Sequence, residues 1–462
     1  MDATETSPGA PTSGTDLSQL EQRWTTLKDA WRKDGGLPYK ARMKLLKSLG
    51  KALKANQAAL CDAVSADFGN RARSETEIGE VYVVLEEIKH ARLFLADWIE
   101  PQEAEVGWAL KPASARVEHQ PLGVVGIISP WNYPVQLALA PLVAAISAGN
   151  RVLIKTSEYT PKTNAVLTTL IQSVFSEDVC AVVQGDAAVG AAFSALPFDH
   201  LLFTGSTSVG RIVMKAAAEN LTPVTLELGG KSPCIIHESF SIAKAAERIV
   251  WGKSYNSGQT CIAPDYVLVP RDKLEAFVTE AKAVFGKLYP TIAGNADCTS
   301  IVSDRHYQRL QGLVAQAAEA GARVEACGED DDSSRRMALR LIVDPDLTLP
   351  VMTDEIFGPI LPIVPVDSVD AAVQFVNERD RPLALYYFDH RNSRIQSVLQ
   401  NTVSGGVCVN DCLLHVTQPS VPFGGVGPSG MGSYHGHHGF LTFSHQRAVL
   451  HQPRINATSM LN

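Results

Sequence analysis

This sequence of 462 residues lacks the features that mark disulfide-rich, nucleic-acid-binding or membrane-spanning proteins. Its eight cysteines include no CxxC pair, its Lys and Arg residues form no dense run, and its long apolar stretch at 137–149 is interrupted by Pro141. A bilayer-spanning helix needs about 20 apolar residues, and duplex-binding proteins normally carry a basic patch. With a formal net charge of −8, the sequence therefore predicts neither a nucleic-acid partner nor a membrane partner.

The histidines and cysteines also predict no metal site. His435, His437 and His438 lack the i, i+4 spacing of a helical zinc site, and Cys408 and Cys412 lack the usual zinc-partner spacing.

The first residues predict a tail. The segment 1–15 holds Pro, Ser, Thr and Gly, and it has no charged region followed by an apolar one. We therefore expect a disordered tail over 1–15, no secretory signal, reduced thiols and a cytoplasmic location.

The rest of the chain reads as an α/β protein. Hydrophobic residues make up 45% of it, which predicts two or three globular domains at this length. The pattern over 17–98 is helical. From Pro121 onward, short apolar runs alternate with amphipathic segments, which predicts parallel sheets covered by helices. In such sheets ligands bind beyond the carboxyl ends of the strands.

Two apolar series have helical spacing. The first comprises Ile78, Val81, Tyr82, Leu85 and Ile88. The second, on a helix predicted over 208–219, comprises Val209, Ile212, Val213, Ala216 and Ala217.

Cys261 is the candidate nucleophile. It follows the loop Asn256-Ser257-Gly258, which ends a helix that Ser241 caps. A thiol beside polar loop backbone ionises more readily than one in an apolar strand, and the thiolate is the reactive form. The alternative is that Cys261 is one more buried cysteine.

Two polar residues follow predicted strands and are further catalytic candidates. Glu227 ends an apolar strand before Gly229, and a buried carboxylate there would have the raised pKa of a general base. Asn132 lies in the Pro-stiffened loop PWNYP and would donate to an oxyanion. The alternatives for Glu227 are a charge at a helix N-terminus and an ion pair with Lys231, and the alternative for Asn132 is an Asn that bonds its own turn.

Three segments are candidates for binding a dinucleotide. FTGSTSVG, which contains Gly205, Ser206 and Val209, follows a strand and opens a helix, although its spacing is not GxGxxG. Lys155 and Glu158 end another strand, and Glu355 and Phe357 precede a rigid turn. A tight turn, an exposed ion pair and a core Phe are the respective alternatives.

Taken together, these motifs resemble the aldehyde dehydrogenase superfamily. PWNYP, the strand ending in Lys155 and Glu158, FTGSTSVG, LELGGK, NSGQTC, EIFGP and PFGGVGPSGMG occur in the family's order. YNSGQTCIAPDYV and GMGSYHGHHGFLTFSH resemble its class 3-like branch, and LTPVTLELGGKSP resembles the bacterial coniferyl aldehyde dehydrogenases within it. One departure is Thr156, where the branch often has Pro between the lysine and the glutamate.

The resemblance implies a covalent mechanism with NAD, or alternatively NADP, as cofactor. Cys261 would attack the aldehyde, Asn132 and the Cys261 N–H would stabilise the oxyanion, and Glu227 would activate water that releases the carboxylate. The residues implied to hold the cofactor are Lys155, Glu158, Gly205, Ser206, Val209, Glu355, Phe357 and Trp131. Tyr133, Tyr255 and His415 are substrate candidates.

The resemblance also implies an architecture and an assembly. The implied architecture comprises a Rossmann-like cofactor domain (16–102 and 120–228), an α/β catalytic domain (229–429) and a small β bridging arm (103–119 and 430–462). The arm would pair two protomers in a homodimer. We expect the arm to contain one strand over 103–119 and another over 440–450. An aromatic aldehyde is the expected substrate; an aliphatic aldehyde dehydrogenase, a cofactor-free cysteine esterase and a non-catalytic binding protein are the alternatives.

Overall fold

The computed structural model describes residues 17–454, so the tail expected over 1–15 and the last residues of the expected arm lie outside the described residues. The N-terminal part is helical, as predicted. Its helices are α1 (Leu17–Asp34), α2 (Tyr39–Ala55), α3 (Gln57–Phe68), α4 (Arg73–Thr76) and α5 (Val83–Ile99), with a π-helical turn (Glu77–Tyr82) before α5.

The π-helical turn changes which side chains of the first apolar series reach the core. Val81 and Ile88 are buried, whereas Ile78 and Tyr82 are more than half exposed. A π-helical turn holds more residues than an α-helical turn, so it shifts the phase of the face on either side of it.

Two antiparallel strands follow, where we expected one strand over 103–119. They are β1 (Gln102–Ala104) and β2 (Ser114–Pro121). The loop between them contains a short 3₁₀ turn (Trp108–Leu110) that reverses the chain.

The first large sheet is built from alternating strands and helices. Its elements are β3 (Val124–Ile128), α6 (Gln136–Ala148), β4 (Arg151–Lys155), α7 (Pro161–Val174), β5 (Cys180–Val183), α8 (Ala187–Ser194), β6 (His200–Thr204), α9 (Thr207–Ala218) and β7 (Val224–Glu227). These five strands are parallel, in the order β7-β6-β3-β4-β5. Every residue of β3, β4, β5 and β6 is buried, as expected for a sheet covered on both faces.

The apolar face predicted for α9 is only partly buried. Val213 and Ala217 are in the core, but Val209 is 44% and Ile212 65% exposed. These two side chains therefore form an apolar surface near the carboxyl ends of the strands.

The second large sheet repeats the architecture. Its elements are β8 (Ser232–Ile236), α10 (Ile242–Ser254), β9 (Pro264–Pro270), α11 (Leu274–Leu288), α12 (Asp304–Glu319), β10 (Arg323–Ala326), β11 (Arg340–Val343), α13 (Pro350–Thr353), β12 (Ile360–Val366), α14 (Val369–Asn377), β13 (Ala384–Phe388), α15 (Asn392–Asn401) and β14 (Gly406–Val409). The strand order is β10-β11-β12-β9-β8-β13-β14, in which β10 pairs antiparallel and the other pairs are parallel.

The last elements return to the earlier parts of the chain. They are β15 (Gly430–Met431), α16 (Gly436–Thr442) and β16 (Ser444–His451). β15 adds an antiparallel edge to β7, and β16 pairs with β2 along its whole length to complete a three-stranded sheet, β1-β2-β16. One apolar core runs from α2 through both large sheets. The prediction of an α/β fold with helix-covered, mainly parallel sheets is thus confirmed.

Among residues 17–454, no helix combines the length and the hydropathy that crossing a bilayer requires.

Candidate active site

Cys261 lies in a loop that its neighbours hold in a fixed shape. Asn256 and Ser257 adopt left-handed backbone conformations, with φ of 52° and 51°. The side chain of Gln259 donates to the carbonyls of Asn256 and Ser300, each at 3.1 Å, and accepts from the N–H of Val302 at 3.0 Å. These bonds fix the backbone two residues before the thiol.

A buried carboxylate from the N-terminal helices holds the same loop. Glu75 accepts from the N–H of Asn256 at 3.0 Å and from the hydroxyl of Thr299 at 2.7 Å. The hydroxyl of Tyr255 donates to the backbone carbonyl of Glu75 at 3.0 Å. Helix α4 therefore positions the nucleophile loop, although it lies almost 190 residues earlier in the chain.

Asn132 is attached to the Cys261 loop directly. Its side-chain Nδ2 donates to the carbonyl of Gln259 at 3.1 Å. Its backbone carbonyl accepts from the side chains of Asn256, at 3.2 Å, and Arg71, at 2.9 Å. A primary amide carries two N–H donors, so one hydrogen of Asn132 is left for another acceptor.

A buried ion pair between Arg71 and Glu80 supports the Asn132 loop. Arg71 Nη1 lies 2.9 Å from Glu80 Oε1, and both side chains are fully buried. The guanidinium also lies over the ring of Tyr133, 4.6 Å from its centroid. The second oxygen of Glu80 accepts from the N–H groups of Val135 and Gln136, at the first turn of α6.

Glu227 is a buried carboxylate without a hydrogen-bond partner. It ends β7, is 3% exposed, and neither carboxylate oxygen has a partner among the described residues. Burial raises its pKa well above the ordinary glutamate value. Burial also raises the pKa of the Cys261 thiol, and the charges of Glu355 and Glu227 raise it further. Glu227, Glu355 and Cys261 thus share one region of low dielectric.

An apolar cavity opens at Cys261. Aromatic rings from four parts of the chain line it: Tyr133, Trp251, Tyr255, Phe423 and Tyr434. Ile78 and Gly79 of the π-helical turn line it as well. A Cβ placed on Gly79 would lie 2.9 Å from the hydroxyl of Tyr255, so glycine keeps this side of the cavity open.

Other predicted site residues line the carboxyl ends of the first sheet. Lys155 Nζ pairs with Glu158 Oε2 at 2.9 Å after β4. After β6, Gly205 leads into Ser206, which caps α9 by accepting from the N–H of Val209. A Cβ on Gly205 would lie 2.5 Å from the Phe203 ring, so the turn requires glycine.

The segment with Glu355 and Phe357 is fastened to the second sheet. Glu355 Oε1 accepts from the N–H of Gly230 at 3.2 Å, and burial raises the Glu355 pKa to about 8. Asp265 accepts from Lys231 Nζ at 2.7 Å, from Lys253 Nζ at 3.3 Å and from the N–H of Ile356. The next residue, Phe357, has a left-handed φ of 51°.

The remaining candidates divide between the cavity and its surroundings. Tyr133 and Tyr255 line the cavity. Trp131 lies outside that lining and meets the Phe357 ring edge-on at 5.4 Å. The ring of His415 also lies outside it, against Tyr386 and Phe423, and its nitrogens have no partner among the described residues.

Sequence reasoning missed the residues that hold the loops. Arg71, Glu75, Glu80 and Gln259 were not singled out, and neither was Tyr434 in the cavity. For Arg71, Glu75 and Glu80, the available signal was a charged residue among apolar positions of the N-terminal helical region. That signal does not reveal burial, because the same spacing describes a solvated helix face.

The residues that the structure describes contain no group of three or more His, Cys, Asp or Glu side chains able to hold a metal ion. All eight cysteines are free thiols.

Replacing Arg71 by Met should destabilise the protein strongly, because it leaves the Glu80 charge buried without its counter-ion. Breaking a fully buried pair in this way typically costs about 3–5 kcal/mol. Thermal unfolding followed by circular dichroism measures the effect. The matched control is Arg73→Met, whose side chain is 54% exposed and should leave the melting temperature nearly unchanged. Equal melting temperatures for the two variants would contradict the role given to the ion pair.

Comparisons with known proteins identify the family of this chain. The model of the aldehyde dehydrogenase family matches residues 15–449. A probable coniferyl aldehyde dehydrogenase of Pseudomonas aeruginosa is 49% identical over 96% of this chain and 94% of its own. A dimeric NADP-preferring aldehyde dehydrogenase of Rattus norvegicus is 42% identical over 90% of each chain. The structure of Staphylococcus aureus AldH in a substrate-bound state superposes with a TM-score of 0.90 and 37% identity, over 94% of this chain and 95% of that one. The chain therefore belongs to the aldehyde dehydrogenase family and is an oxidoreductase that acts on aldehydes.

Proposed function

We propose that this protein oxidises an aromatic aldehyde similar to coniferyl aldehyde to its carboxylate, with Cys261 as the nucleophile and NAD(P)⁺ as the oxidant. The observation that carries the proposal is the thiol of Cys261 at an aromatic cavity, close enough to Glu227 that the carboxylate raises its pKa. The relative from P. aeruginosa, named for coniferyl aldehyde, supports the substrate class.

The shape and chemistry of the cavity favour a flat aryl group. Rings of Tyr133, Tyr255 and Phe423 offer faces and edges on which an aromatic substrate would pack. Since the lining is almost entirely apolar, the substrate gains by leaving water. Its carbonyl carbon would lie at the Cys261 sulfur.

In the first step, the Cys261 thiol transfers its proton to Glu227, which passes it to solvent, and the sulfur adds to the carbonyl carbon so that a C–S bond forms. The carbonyl oxygen becomes an oxyanion, which accepts from the free hydrogen of the Asn132 amide and from the N–H of Cys261. Such donors are typically worth about 3 kcal/mol each. The bond from Asn132 Nδ2 to Gln259 orients the amide before the substrate arrives.

The residues near the strand ends fit a dinucleotide. Oxidised NAD(P), when bound, supplies the carbon that accepts hydride from the tetrahedral adduct. Val209 and Ile212, exposed on α9, offer apolar cover for the adenine, and the capped N-terminus of α9 favours a pyrophosphate. The residues we assign to this site are Lys155, Glu158, Gly205, Ser206, Val209, Glu355, Phe357 and Trp131.

Glu158 supports a preference for NAD over NADP. Its side chain is 40% exposed and lies in the segment that we assign to the adenine ribose. A carboxylate there would repel a 2′-phosphate, and the adjacent Lys155 offsets part of that repulsion because the two are paired. We therefore propose NAD as the better cofactor, with NADP also accepted.

Glu227 completes the reaction as a general base. It takes a proton from water, the water oxygen bonds to the acyl carbon of the thioester, and the C–S bond breaks to return the Cys261 thiolate. A carboxyl whose pKa is raised by burial is a stronger base than an exposed one.

We also propose a homodimer in which each protomer has a cofactor domain (16–102 and 120–228), a catalytic domain (229–429) and a bridging arm (103–119 and 430–462). The three-stranded sheet formed by β1, β2 and β16 and the 3₁₀ turn between β1 and β2 carry exposed apolar side chains, among them Leu450 at 52% and Trp108 at 88% exposure. Contact with a second copy would cover them. The rat relative is itself named as dimeric.

A panel of aryl and short aliphatic aldehydes, each tested with NAD⁺ and NADP⁺, should show kcat/KM at least about tenfold higher for cinnamyl aldehydes with NAD⁺.

Cys261→Ala should abolish cofactor reduction and retain nucleotide binding by calorimetry. Ester hydrolysis without any cofactor reduction would instead identify a cysteine hydrolase.

Gly79→Val should narrow the cavity, because a side chain at this position meets the Tyr255 hydroxyl and the Tyr133 ring. We expect KM for an aryl aldehyde to rise about tenfold or more and KM for acetaldehyde to stay nearly constant. Steady-state kinetics with both substrates measure the difference. A proportional change for the two aldehydes would argue against the cavity as the aryl site.

The rate constant for thioester hydrolysis should rise with pH through the neutral and alkaline range. Glu227 accepts a proton only when it is ionised, and its raised pKa moves ionisation to higher pH. Glu227→Gln should lower this rate constant by about 10²-fold or more and remove its pH dependence. Quench-flow measurement of carboxylate release tests this, and an unchanged profile in the variant would exclude Glu227 as the base.

A further inference from the structure

Two residues that line the aldehyde cavity each carry a polar atom with no hydrogen-bond partner among residues 17–454. These atoms are the hydroxyl of Tyr434, whose side chain is fully buried, and Nε2 of Gln136, which is 5% exposed. Buried polar groups in proteins are rarely unpaired unless they bind a water or a ligand. The rest of this cavity is almost entirely apolar.

Backbone hydrogen bonds fix the positions of both residues. The N–H and C=O of Tyr434 pair with the C=O and N–H of Phe423 at 2.8 and 2.9 Å. Its ring packs against Phe423 and His435. Gln136 is the first residue of α6, and its N–H donates to Glu80. The backbone from which each side chain extends is therefore fixed at the cavity wall.

The Tyr434 hydroxyl shares its surroundings with the catalytic groups. Tyr434 and Cys261 line the same cavity, and Glu227 pairs through β7 with Gly430, shortly before Tyr434 in the chain. Burial raises the pKa of Tyr434, the charges of Glu227 and Cys261 raise it further, and a side-chain interaction with Gln136 opposes part of that rise. The hydroxyl consequently remains protonated and available as a donor. Glu227 adds two acceptor oxygens that also lack partners among the described residues.

We propose that Tyr434 and Gln136, together with Glu227, hold the water that hydrolyses the thioester on Cys261. A buried water typically makes about three hydrogen bonds, and these side chains provide two donors and an acceptor. The inference rests on the proposed function, because it concerns the hydrolytic step of that reaction.

The atoms of this step balance without another reactant. Tyr434 O–H and Gln136 N–H donate to the water oxygen, and one water proton passes to the Glu227 carboxylate. The electron pair of that O–H bond bonds to the acyl carbon as the proton leaves, and the C–S electron pair returns to Cys261 when the tetrahedral adduct collapses. The remaining water proton goes to solvent. The carboxylate product then leaves with the former water oxygen.

The test separates thioester formation from hydrolysis in single turnovers with enzyme in excess over an aryl aldehyde and NAD⁺. Rapid-quench sampling follows carboxylate release, stopped-flow absorbance follows reduced nucleotide, and intact-protein mass follows the acyl-enzyme. For Tyr434→Phe we expect nucleotide reduction within about twofold of the unmodified enzyme. Carboxylate release should be at least tenfold slower, and the acyl mass should accumulate.

Gln136→Leu provides an independent variant and should give the same split between the two steps. Tyr307→Phe is the matched control: it removes the hydroxyl of a buried tyrosine on α12 whose partner is Asp332, and it should leave both rates unchanged. Carboxylate release at the unmodified rate in both cavity variants would overturn the water assignment. Equal slowing of reduction and release would overturn it as well, because the residues would then act before the thioester forms.

Failure of the proposed function gives a different result. If the unmodified enzyme shows no Cys261-dependent reduction of NAD⁺, the reaction itself is misassigned. If the unmodified enzyme does reduce NAD⁺ through Cys261, and both cavity variants release carboxylate at the unmodified rate, the water site alone is rejected.

Discussion

The buried ion pair between Arg71 and Glu80 is the interaction on which the geometry of this site depends. Arg71 reaches the backbone of Asn132, and Glu80 binds the first turn of α6. The pair lies in a region without solvent, where a lone charge is costly, so the two helical segments and the Asn132 loop are stable only together. Nearby, Glu75 binds the Cys261 loop in the same manner.

This arrangement explains how two parallel sheets can share one chemical site. The carboxyl end of β7 supplies Glu227, the loop after α10 supplies Cys261, and the loop after β3 supplies Asn132. The three groups come from the end of a strand, a loop after a helix and a loop after another strand. Carboxylates from the N-terminal helices fix the distances between the loops, which lets the catalytic groups themselves keep unpaired atoms.

Several buried polar atoms at the proposed site of chemistry are unpaired within residues 17–454. Both oxygens of Glu227, the Tyr434 hydroxyl and Nε2 of Gln136 lack partners among the described residues. The Arg71–Glu80 pair that supports the Asn132 loop makes bonds to Asn132 and to the first turn of α6. A fold gains stability by pairing buried polar groups. Leaving these groups unpaired in a rigid frame prepares them for substrate and water.

The sequence alone determined the α/β class, the helical N-terminal part and the family, because these depend on local periodicity and on motifs a few residues long. It also marked Cys261, Glu227 and Asn132 as polar groups that follow strands. Tertiary structure decided what those groups face. Ile78 turned outward because a π-helical turn shifted the helix phase, Val209 stayed exposed, and the ring of His415 packed beside the cavity instead of lining it. Arg71, Glu75 and Tyr434 gained their importance only through burial next to segments far away in the chain. Burial depends on the packing of the whole molecule, and the residue types at those positions do not encode it locally.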